Sequence, residues 1–497
     1  SSSAASDVYK RQIMATTYLH GAYGGIGATQ AKSAIQSGTI PVYFGTAPVN
    51  LVRGYADSGV INTPVRLTNF TQAQAVCGYS STWASYTLCE AVSAHFNNPL
   101  GNCGPIYIIN VLDPDKHRKA EQVEKVLTFT NGRAEFISDA IILDTFALAD
   151  MAEGTDYSLD YDFTRSCVIV TVKDRTKTTV NATYHVVDSS AVTAEDIIGG
   201  VTSGGEYSGI GALPLLYAQE FQVANLLAAP GWSHIPAVYN ALITASQKIN
   251  GHWMAFVAAD IPLENAGTIE AAKAWKKANG YTSEYSKVFW PQAKTSTGEI
   301  YHLSTLAVWV MQMVDNDHDG VPGETCSNKA VPVICQYFGD GAKNRGFDQE
   351  TGNALNENGI STVAPFNGKW VLWGGHTAAY AFGVTSDALH IFDTNIRMLE
   401  HIVNSFQKEW APRVDKPMTI QLRDEIIHRE NDKLAGYVAQ GYLVGNPECI
   451  FLPSENADSD MMNGDFRWNL SATPTPQFKS GTISVSYTDS GLSVYSA

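Results

Sequence analysis

The chain has few charged residues and no excess of basic ones. Only 16% of its 497 residues are charged, and 33 Lys and Arg stand against 49 Asp and Glu, for a formal net charge of −16 at pH 7. A nucleic-acid-binding surface needs a basic patch that replaces the counterions of the phosphates. The balance therefore argues against a nucleic-acid partner, and the low charge suggests that other molecules cover much of the surface.

Three other features are scarce or missing. Seven cysteines, an odd number at irregular spacing, do not form the pattern of a disulfide framework. No apolar run reaches the roughly 18 residues that a membrane-spanning helix needs. No G-x-x-x-x-G-K-[ST] sequence occurs, so ATP hydrolysis has no recognisable site. The sequence favours a protein that folds in a reducing compartment and does not insert into a membrane.

The stretch from Phe221 to Pro262 reads as a strand, a turn, a helix and a second strand. The apolar runs Val223 to Ala229 and Trp253 to Ala259 flank it. Between them, apolar residues recur at spacings of four, three and four, which indicates one helix face: Val238, Leu242, Ala245 and Ile249. Two apolar runs around a helix predict parallel strands that are buried on both faces.

Ser233 stands just before this helix, and Pro236 suits the first helical position. A serine oxygen accepts a hydrogen bond from a free amide of the first turn. The sequence therefore predicts Ser233 as the helix cap.

The composition changes after Asp113. Residues 140–187 are rich in Thr, Val, Ile and Tyr, which is typical of a small β domain. This predicts a β domain at 113–209, inserted between two parts of an α/β core domain at 37–112 and 210–480. The glycine-rich residues 14–36 are interpreted as an N-terminal arm. Residues 1–13, which precede Met14, are interpreted as a non-native or disordered leader.

The last residues of the chain alternate between apolar and polar. Period two predicts strands, and a terminal strand exposes unpaired backbone groups unless something covers it. A polymer can add such a strand to the sheet of a neighbouring subunit. The sequence predicts a C-terminal strand arm at 481–497 with these inter-subunit residues: Ile483, Val485, Tyr487, Leu492 and Val494.

The stretch from Phe221 to Pro262 resembles the contractile tail sheath proteins of bacteriophages and related injection machines. Further segments resemble the same family and follow its order: Ser37 to Val49 (SGTIPVYFGTAPV), Leu303 to Ala330, Leu355 to Ala379 and Asn395 to Gly445. None of them carries chemistry. Four segments in order are much more specific than one.

The resemblance implies an α/β (α+β) core domain built from both ends of the chain, with an inserted small β domain and extended N- and C-terminal arms. It implies a structural subunit of a contractile tail sheath, not an enzyme, that polymerises around an inner tube. Contraction of the sheath would drive the tube through a target cell envelope. The implied location is a virion tail or phage-like particle assembled in the bacterial host cytoplasm.

The implied partners are other copies of the subunit in stacked rings, the inner tail tube protein, and the baseplate and tail terminator proteins. No cofactor or metal is implied. In resembling sheaths a charged helix of the inner domain faces the tube. The helix predicted from Met418 to Tyr437 is heavily charged, so we expect the tube contact to be made by Arg423, Asp424, Glu425, Arg429, Glu430 and Lys433.

Two other functions stay open as alternatives. Gly231 to Ile235 resembles the G-x-S-x-G nucleophile elbow of an α/β-hydrolase, with Ser233 as nucleophile. In that case His20-Gly21 would be the oxyanion-hole loop, and His376 or His428 the histidine of the triad. Ile235 in place of the last glycine weakens that match. The second alternative is a generic self-assembling shell protein. Residues 315–320 resemble half of a calcium loop, but Cys326 stands where the loop needs a glutamate, which favours an acidic surface turn.

Overall fold

The computed structural model describes residues 35–36, 38–342 and 346–495, with only the backbone of 35–36. The predicted leader at 1–13, most of the predicted arm at 14–36, and His20 lie outside the described residues.

Eleven α-helices occur in the described chain. In order they are α1 (Phe70–Cys77), α2 (Leu88–Phe96), α3 (Ala194–Ile198), α4 (Leu215–Glu220), α5 (Pro236–Gln247), α6 (Ile269–Ala278), α7 (Leu303–Asp317), α8 (Gln349–Asn356), α9 (Asp393–Trp410), α10 (Ile420–Ala439) and α11 (Asp458–Asn463). In this part of the chain no helix combines the length and apolar character that crossing a membrane requires.

The described residues also form 23 strands. In order they are β1 (Ile35–Gln36), β2 (Pro41–Gly45), β3 (Pro64–Leu67), β4 (Cys103–Gly104), β5 (Ile106–Asn110), β6 (Val123–Thr128), β7 (Arg133–Ile137), β8 (Ala147–Leu148), β9 (Tyr157–Asp162), β10 (Cys167–Val172), β11 (Thr179–Tyr184), β12 (Gly200–Val201), β13 (Tyr207–Ser208), β14 (Leu226–Ala228), β15 (Phe256–Asp260), β16 (Ser286–Phe289), β17 (Gln292–Lys294), β18 (Ile300–Tyr301), β19 (Cys335–Tyr337), β20 (Ile360–Phe366), β21 (Lys369–Trp373), β22 (Leu443–Ile450) and β23 (Asn469–Pro474).

An eight-stranded sheet organises the core, with the order β21-β20-β16-β15-β14-β2-β5-β3. The six inner strands are parallel, and the two edge strands are antiparallel to their neighbours. Helices cover both faces of a parallel sheet, so its strands are uniformly apolar. All residues of β2, β5 and β15 are buried accordingly.

The predicted strand–helix–strand unit is confirmed as β14, α5 and β15, whose strands pair in parallel from Leu226 with Phe256. β14 also pairs with β2, which lies near the start of the described chain. One sheet therefore contains strands from both sides of residues 113–209.

Two three-stranded antiparallel sheets lie between β5 and β14 in sequence, with the orders β7-β10-β9 and β6-β11-β8. Their side chains form a separate apolar cluster around stacked rings, with Phe136 and Tyr184 at 5.6 Å between centroids. After β11 the chain packs into the main core through Val187, Val192 and Ile197. The separate cluster is thus narrower than 113–209.

The glycine-rich return after α3 is a tight backbone crossing. Gly209 has φ +53°, and a Cβ there would stand 2.3 Å from the carbonyl oxygen of Ile197. A Cβ at Gly199 would stand 2.0 Å from the carbonyl oxygen of Ser208. Only residues without a side chain allow this approach, which explains the local composition.

The C-terminal part consists of α9, α10 and the two-stranded sheet β22·β23. An apolar cluster joins them and includes Met398, Ile402, Leu434, Leu443 and Cys449. α10 agrees with the predicted charged helix from Met418 to Tyr437, with bounds that differ by two residues at each end.

Candidate assembly surfaces

The C-terminal segment leaves the body of the subunit just after Gln477. Thr475 N donates to the carbonyl oxygen of Tyr442 at 2.9 Å. Gln477 Nε2 donates to Asp393 Oδ1 at 3.1 Å and to Thr394 Oγ1 at 2.8 Å. From Phe478 to residue 495 every residue is exposed. Gln477 is therefore the last residue of this segment that is held in the body.

The predicted C-terminal strand is not present in the single subunit. Residues 481–488 form neither helix nor strand, and Ser490–Tyr495 forms a 3₁₀-helix. A strand needs a partner for its backbone groups, and within the described residues no strand pairs with this segment. The predicted inter-subunit residues are all exposed, by 85% at Ile483, 84% at Val485, 85% at Tyr487, 54% at Leu492 and 77% at Val494. Pairing with a neighbour stays a prediction.

The sheet β22·β23 has one obstructed edge. Asn431 of α10 donates to the carbonyl oxygen of Cys449 at 3.0 Å and accepts from Cys449 N at 2.9 Å. The register shifts between Val444 and Glu448, and Pro447 in that interval has no N–H. β22 is therefore a poor template for another strand. Among the described residues, no strand lies beyond β23.

The charged side chains of α10 mostly bind within the subunit. Arg429 pairs with Glu409 at 2.6 Å and stacks over the Trp410 ring at 5.4 Å. Lys433 pairs with Glu409 at 2.8 Å and with Glu430 at 2.7 Å. The two pairs with Glu409 connect α10 to the end of α9.

The burial of Glu430 contradicts its predicted role in the tube contact. Glu430 is 2% exposed and accepts a hydrogen bond from Trp410 Nε1 at 2.6 Å, so its carboxylate faces the helix pair and not the surface. Arg423 lies beside Asp424 at 2.7 Å, and Arg413 pairs with Glu425 at 3.3 Å. Arg423, Asp424, Glu425 and Arg429 remain partly or fully accessible.

The prediction that Ser233 caps α5 is wrong. The N-cap is Ile235, without a side-chain cap, because the chain makes a further turn after β14 in which Ser233 N donates to the carbonyl oxygen of Ala229 at 2.8 Å. Ser233 instead points inward: its Oγ accepts from Asp260 N at 3.0 Å and donates to Asp260 Oδ2 at 3.3 Å.

The surroundings of Ser233 do not form a hydrolase site. Asp260 is buried at the end of β15 and also accepts from Ser304 N at 3.0 Å and Ser304 Oγ at 2.5 Å. Burial raises the pKa of the Asp260 carboxyl. Ser233 Oγ thus contacts a carboxylate and a backbone amide, and it is fully buried. A nucleophilic serine needs an imidazole base within hydrogen-bond reach and access for substrate.

The histidines proposed for that alternative lie apart. His376 is buried, its Nδ1 donates to the carbonyl oxygen of Ile391 at 3.0 Å, and its ring stacks on Tyr380 with 3.6 Å between ring centroids. Burial lowers the pKa of His376 to about 4. His428 is exposed on α10.

The prediction of an acidic surface turn at 315–320 is wrong for Asp315, which is buried. Asp315 belongs to α7, is 1% exposed and forms a buried ion pair with Arg397 of α9. Thr39 Oγ1 also donates to Asp315 Oδ2 at 2.8 Å. Asp315 therefore joins two helices. Across 38–342 and 346–495, no three His, Cys, Asp or Glu side chains group as a metal ion requires.

Sequence comparison finds relatives that align along more than half of the chain, and in one case along nearly all of it. The tail sheath protein of Burkholderia phage BcepMu is 27% identical over 504 residues, which cover 96% of this chain and 98% of that protein. The tail sheath protein of Escherichia phage P2 is 24% identical over 311 residues, covering 61% of this chain and 73% of that one. No protein-family model matches the chain. The chain is similar to contractile tail sheath proteins along nearly its whole length.

Solved structures share the fold of this sheath subunit. The helical sheath of the anti-feeding prophage in its contracted state superposes with a TM-score of 0.54 at 14% identity, covering 95% of this chain and 100% of that chain. The contracted sheath complex of an extracellular contractile injection system, PVC, superposes with a TM-score of 0.52 at 11% identity, covering 96% and 99%. The mixture of helices and strands is that of a sheath fold, and the subunit has a structural role in a contractile tail sheath.

Proposed function

We propose that this subunit polymerises by giving its C-terminal arm, residues 481–497, to a neighbouring copy. The observation that carries the proposal is the exposure of Ile483, Val485 and Tyr487, each 84% or more. Three large apolar side chains in succession, each exposed on a segment that leaves the body, lose contact with water when a partner covers them. Their period-two spacing suits a strand, which needs a second chain here.

The arm of one subunit joins the open edge of β23 in the next. Asn431, Pro447 and the register shift obstruct β22, so β23 offers the better template. Backbone hydrogen bonds to β23 give affinity, and alternate side chains of the arm pack against the body of the neighbour. Because such a link does not depend on how the bodies pack, it keeps the polymer connected when the bodies slide during contraction.

The body and the insertion have separate places in the proposed polymer. Residues 37–112 and 210–480 form the core domain next to the inner tube, and residues 113–209 form a β domain on the outer surface. The shared sheet of β2, β5 and β14 and the separate apolar cluster around Phe136 support this division. The N-terminal arm at 14–36 is the second connecting segment.

The tube contact lies on α10 and uses Arg423, Asp424, Glu425 and Arg429, with Lys433 at its border. These residues carry both signs of charge and are accessible. Exposed ion pairs contribute about 0–1 kcal/mol each, so many together hold an extended sheath on its tube, and single pairs release readily.

The proposed partners are other copies of the subunit, the inner tail tube protein, and the baseplate and tail terminator proteins. The particle is a phage tail or a related contractile machine assembled in the host cytoplasm. The subunit acts mechanically, without catalysis, nucleic acid or membrane insertion. The buried position of Ser233 against Asp260 supports this over the hydrolase alternative.

Electron microscopy of the purified full chain and of a variant lacking residues 482–497 tests the proposal. The full chain should form long striated cylinders, and the truncated chain should stay folded, soluble and unpolymerised. Normal cylinders from the truncated chain would contradict the arm exchange. Closed shells from the full chain would instead favour the generic shell protein.

A further inference from the structure

A buried carboxylate lies at the base of the C-terminal arm. Asp393 lies in the first turn of α9 and is 1% exposed. Its Oδ2 accepts hydrogen bonds from Lys287 Nζ of β16 at 2.8 Å and from Thr325 Oγ1 at 2.9 Å. Its other oxygen, Oδ1, accepts a hydrogen bond from Gln477 Nε2 at 3.1 Å. The side chain of Gln477 therefore connects the C-terminal segment to the central sheet through one shared carboxylate.

The side-chain amide of Gln477 fits into a space beside Gly375. Asp393 N donates to the carbonyl oxygen of Gly375 at 3.1 Å, which places Gly375 beside the carboxylate. A methyl group at Gly375 would stand 2.3 Å from Gln477 Oε1. Glycine thus leaves the space that the amide occupies, at a position whose backbone does not itself require glycine.

After Gln477 the C-terminal segment is exposed to solvent. Phe478 is 89% exposed, and the next residues to 495 are exposed as well. The nearest further contact is the weak one of Lys479 Nζ over the Tyr380 ring at 6.0 Å. The direction in which the arm departs is therefore set where Gln477 binds.

We infer that Gln477 is the positioning residue of the exchanged arm: its amide, bound to Asp393 and Thr394 beside Gly375, sets the place and direction in which residues 478–495 leave the subunit. This inference rests on the proposed arm exchange. An arm with a fixed exit is presented to β23 of the neighbour in a narrow range of directions, so less conformational entropy is lost when the neighbour binds it.

Trypsin cleavage after Lys479 in the unassembled protein measures the hold directly, because cleavage needs the flanking chain to detach from the body. Gln477→Ala should raise the cleavage rate about tenfold, the factor expected when hydrogen bonds to a charged group are lost. Gly375→Ala should raise it similarly while Gln477 stays in the sequence, since the new methyl displaces the amide. Ser480→Ala, at an exposed position, is the matched control and should leave the rate unchanged.

The same variants are then tested for polymerisation. Gln477→Ala and Gly375→Ala should keep the thermal midpoint of the full chain within a few degrees and raise the concentration needed for cylinders several-fold. Wild-type cleavage rates in both variants would overturn the inference, and so would faster cleavage with unchanged assembly. Failure of the arm exchange itself shows separately, as normal cylinders from the chain lacking 482–497, while the cleavage rates still decide whether Gln477 holds the arm.

Discussion

Lys287 and Asp393 form an ion pair at 2.8 Å in which neither side chain reaches solvent, with 0% and 1% exposure. Lys287 comes from β16 and Asp393 from the start of α9, so the pair joins the central sheet to the C-terminal helices. Lys287 Nζ also donates to the carbonyl oxygen of His376 at 3.2 Å.

Lys287→Met should destabilise the subunit by about 3–5 kcal/mol, because it leaves the Asp393 carboxylate buried without its cation. The midpoint of denaturant unfolding measures this loss. Lys116→Met is the control, since Lys116 pairs with Asp196 while its side chain is 63% exposed, and it should change the midpoint little. Equal effects of the two substitutions would contradict the role of burial.

We expect His302 to make the stability of the subunit depend on pH. Its Nδ1 lies 2.8 Å from Glu90 Oε2, and its backbone N donates to Glu90 Oε1 at 2.7 Å. Burial opposes the charged imidazole, but the Glu90 carboxylate, with a smaller contribution from Asp260, outweighs it and raises the pKa of His302 to about 9.

The raised pKa gives the sign of the effect. The unfolded pKa is about 6.5, so the contribution is complete below that pH and is lost as pH rises through 9. The thermal midpoint of wild type relative to His302→Gln should therefore fall between pH 6.5 and pH 9.5. His428→Gln, at an exposed position, should leave the pH profile unchanged. A flat difference between wild type and His302→Gln would exclude the charged pair.

Substitution of Ser233 separates a buried role from a capping role. Ser233→Ala should cost about 1–3 kcal/mol, because it removes a partner of the buried Asp260. Ser233→Asp should cost more, since a second carboxylate would face Asp260, whereas a true N-cap accepts aspartate. Thr268→Asp is the matched control, because the Thr268 side chain caps α6 by accepting from Ala271 N at 3.2 Å. The midpoint of denaturant unfolding measures the effect of each substitution. If Ser233→Asp left the midpoint unchanged, the result would favour the capping role of Ser233.

The arm exchange predicts a dependence on strand face. Val485→Asp should abolish cylinders, because Val485 shares a strand face with Ile483 and Tyr487. Ser484→Asp places the same charge one residue earlier on the opposite face and should leave assembly largely intact. Sedimentation and electron microscopy measure the outcome. Equal loss in both variants would mean that the arm does not bind as a strand with one covered face.

The tube contact predicts the behaviour of a charge swap. Arg429→Glu alone should weaken the link to α9, since Arg429 pairs with Glu409 at 2.6 Å. The double variant Glu409→Arg with Arg429→Glu restores that pair with reversed signs. It also places a cation against Lys433, which pairs with Glu409 at 2.8 Å, so the thermal midpoint should recover only in part. Co-assembly with tube into the extended sheath should stay impaired because the surface charge remains reversed. Recovery of co-assembly would show that Arg429 serves only the helix pair.

Local patterns in the sequence predicted the elements that have one clear periodicity. The helix spacing from Val238 and the apolar runs beside it gave the parallel unit of β14, α5 and β15, because burial of a face repeats at the period of the backbone. The order of several segments predicted the sheath family.

Polar residues were harder to place, because periodicity shows which face is apolar and not which distant group a polar side chain meets. Ser233 meets Asp260, Glu430 meets Trp410, and Asp315 meets Arg397 only after the chain has folded. Lys287 lies in the fully buried strand β16 and therefore needs a buried partner, yet nothing local in the sequence pointed to Asp393.

The sequence by itself determined the family, the parallel character of the core strands and the alternation of the C-terminal arm, since each depends on residue type and short spacing. Tertiary structure alone decided that the arm departs at Gln477. It likewise decided that three polar side chains of α10 bind the end of α9, namely Arg429, Glu430 and Lys433. It also decided that β22 is the obstructed edge of its sheet. Those features depend on contacts between side chains that are far apart in the sequence. Such contacts form because a buried polar or charged group needs a partner, and only the complete fold brings the partners together.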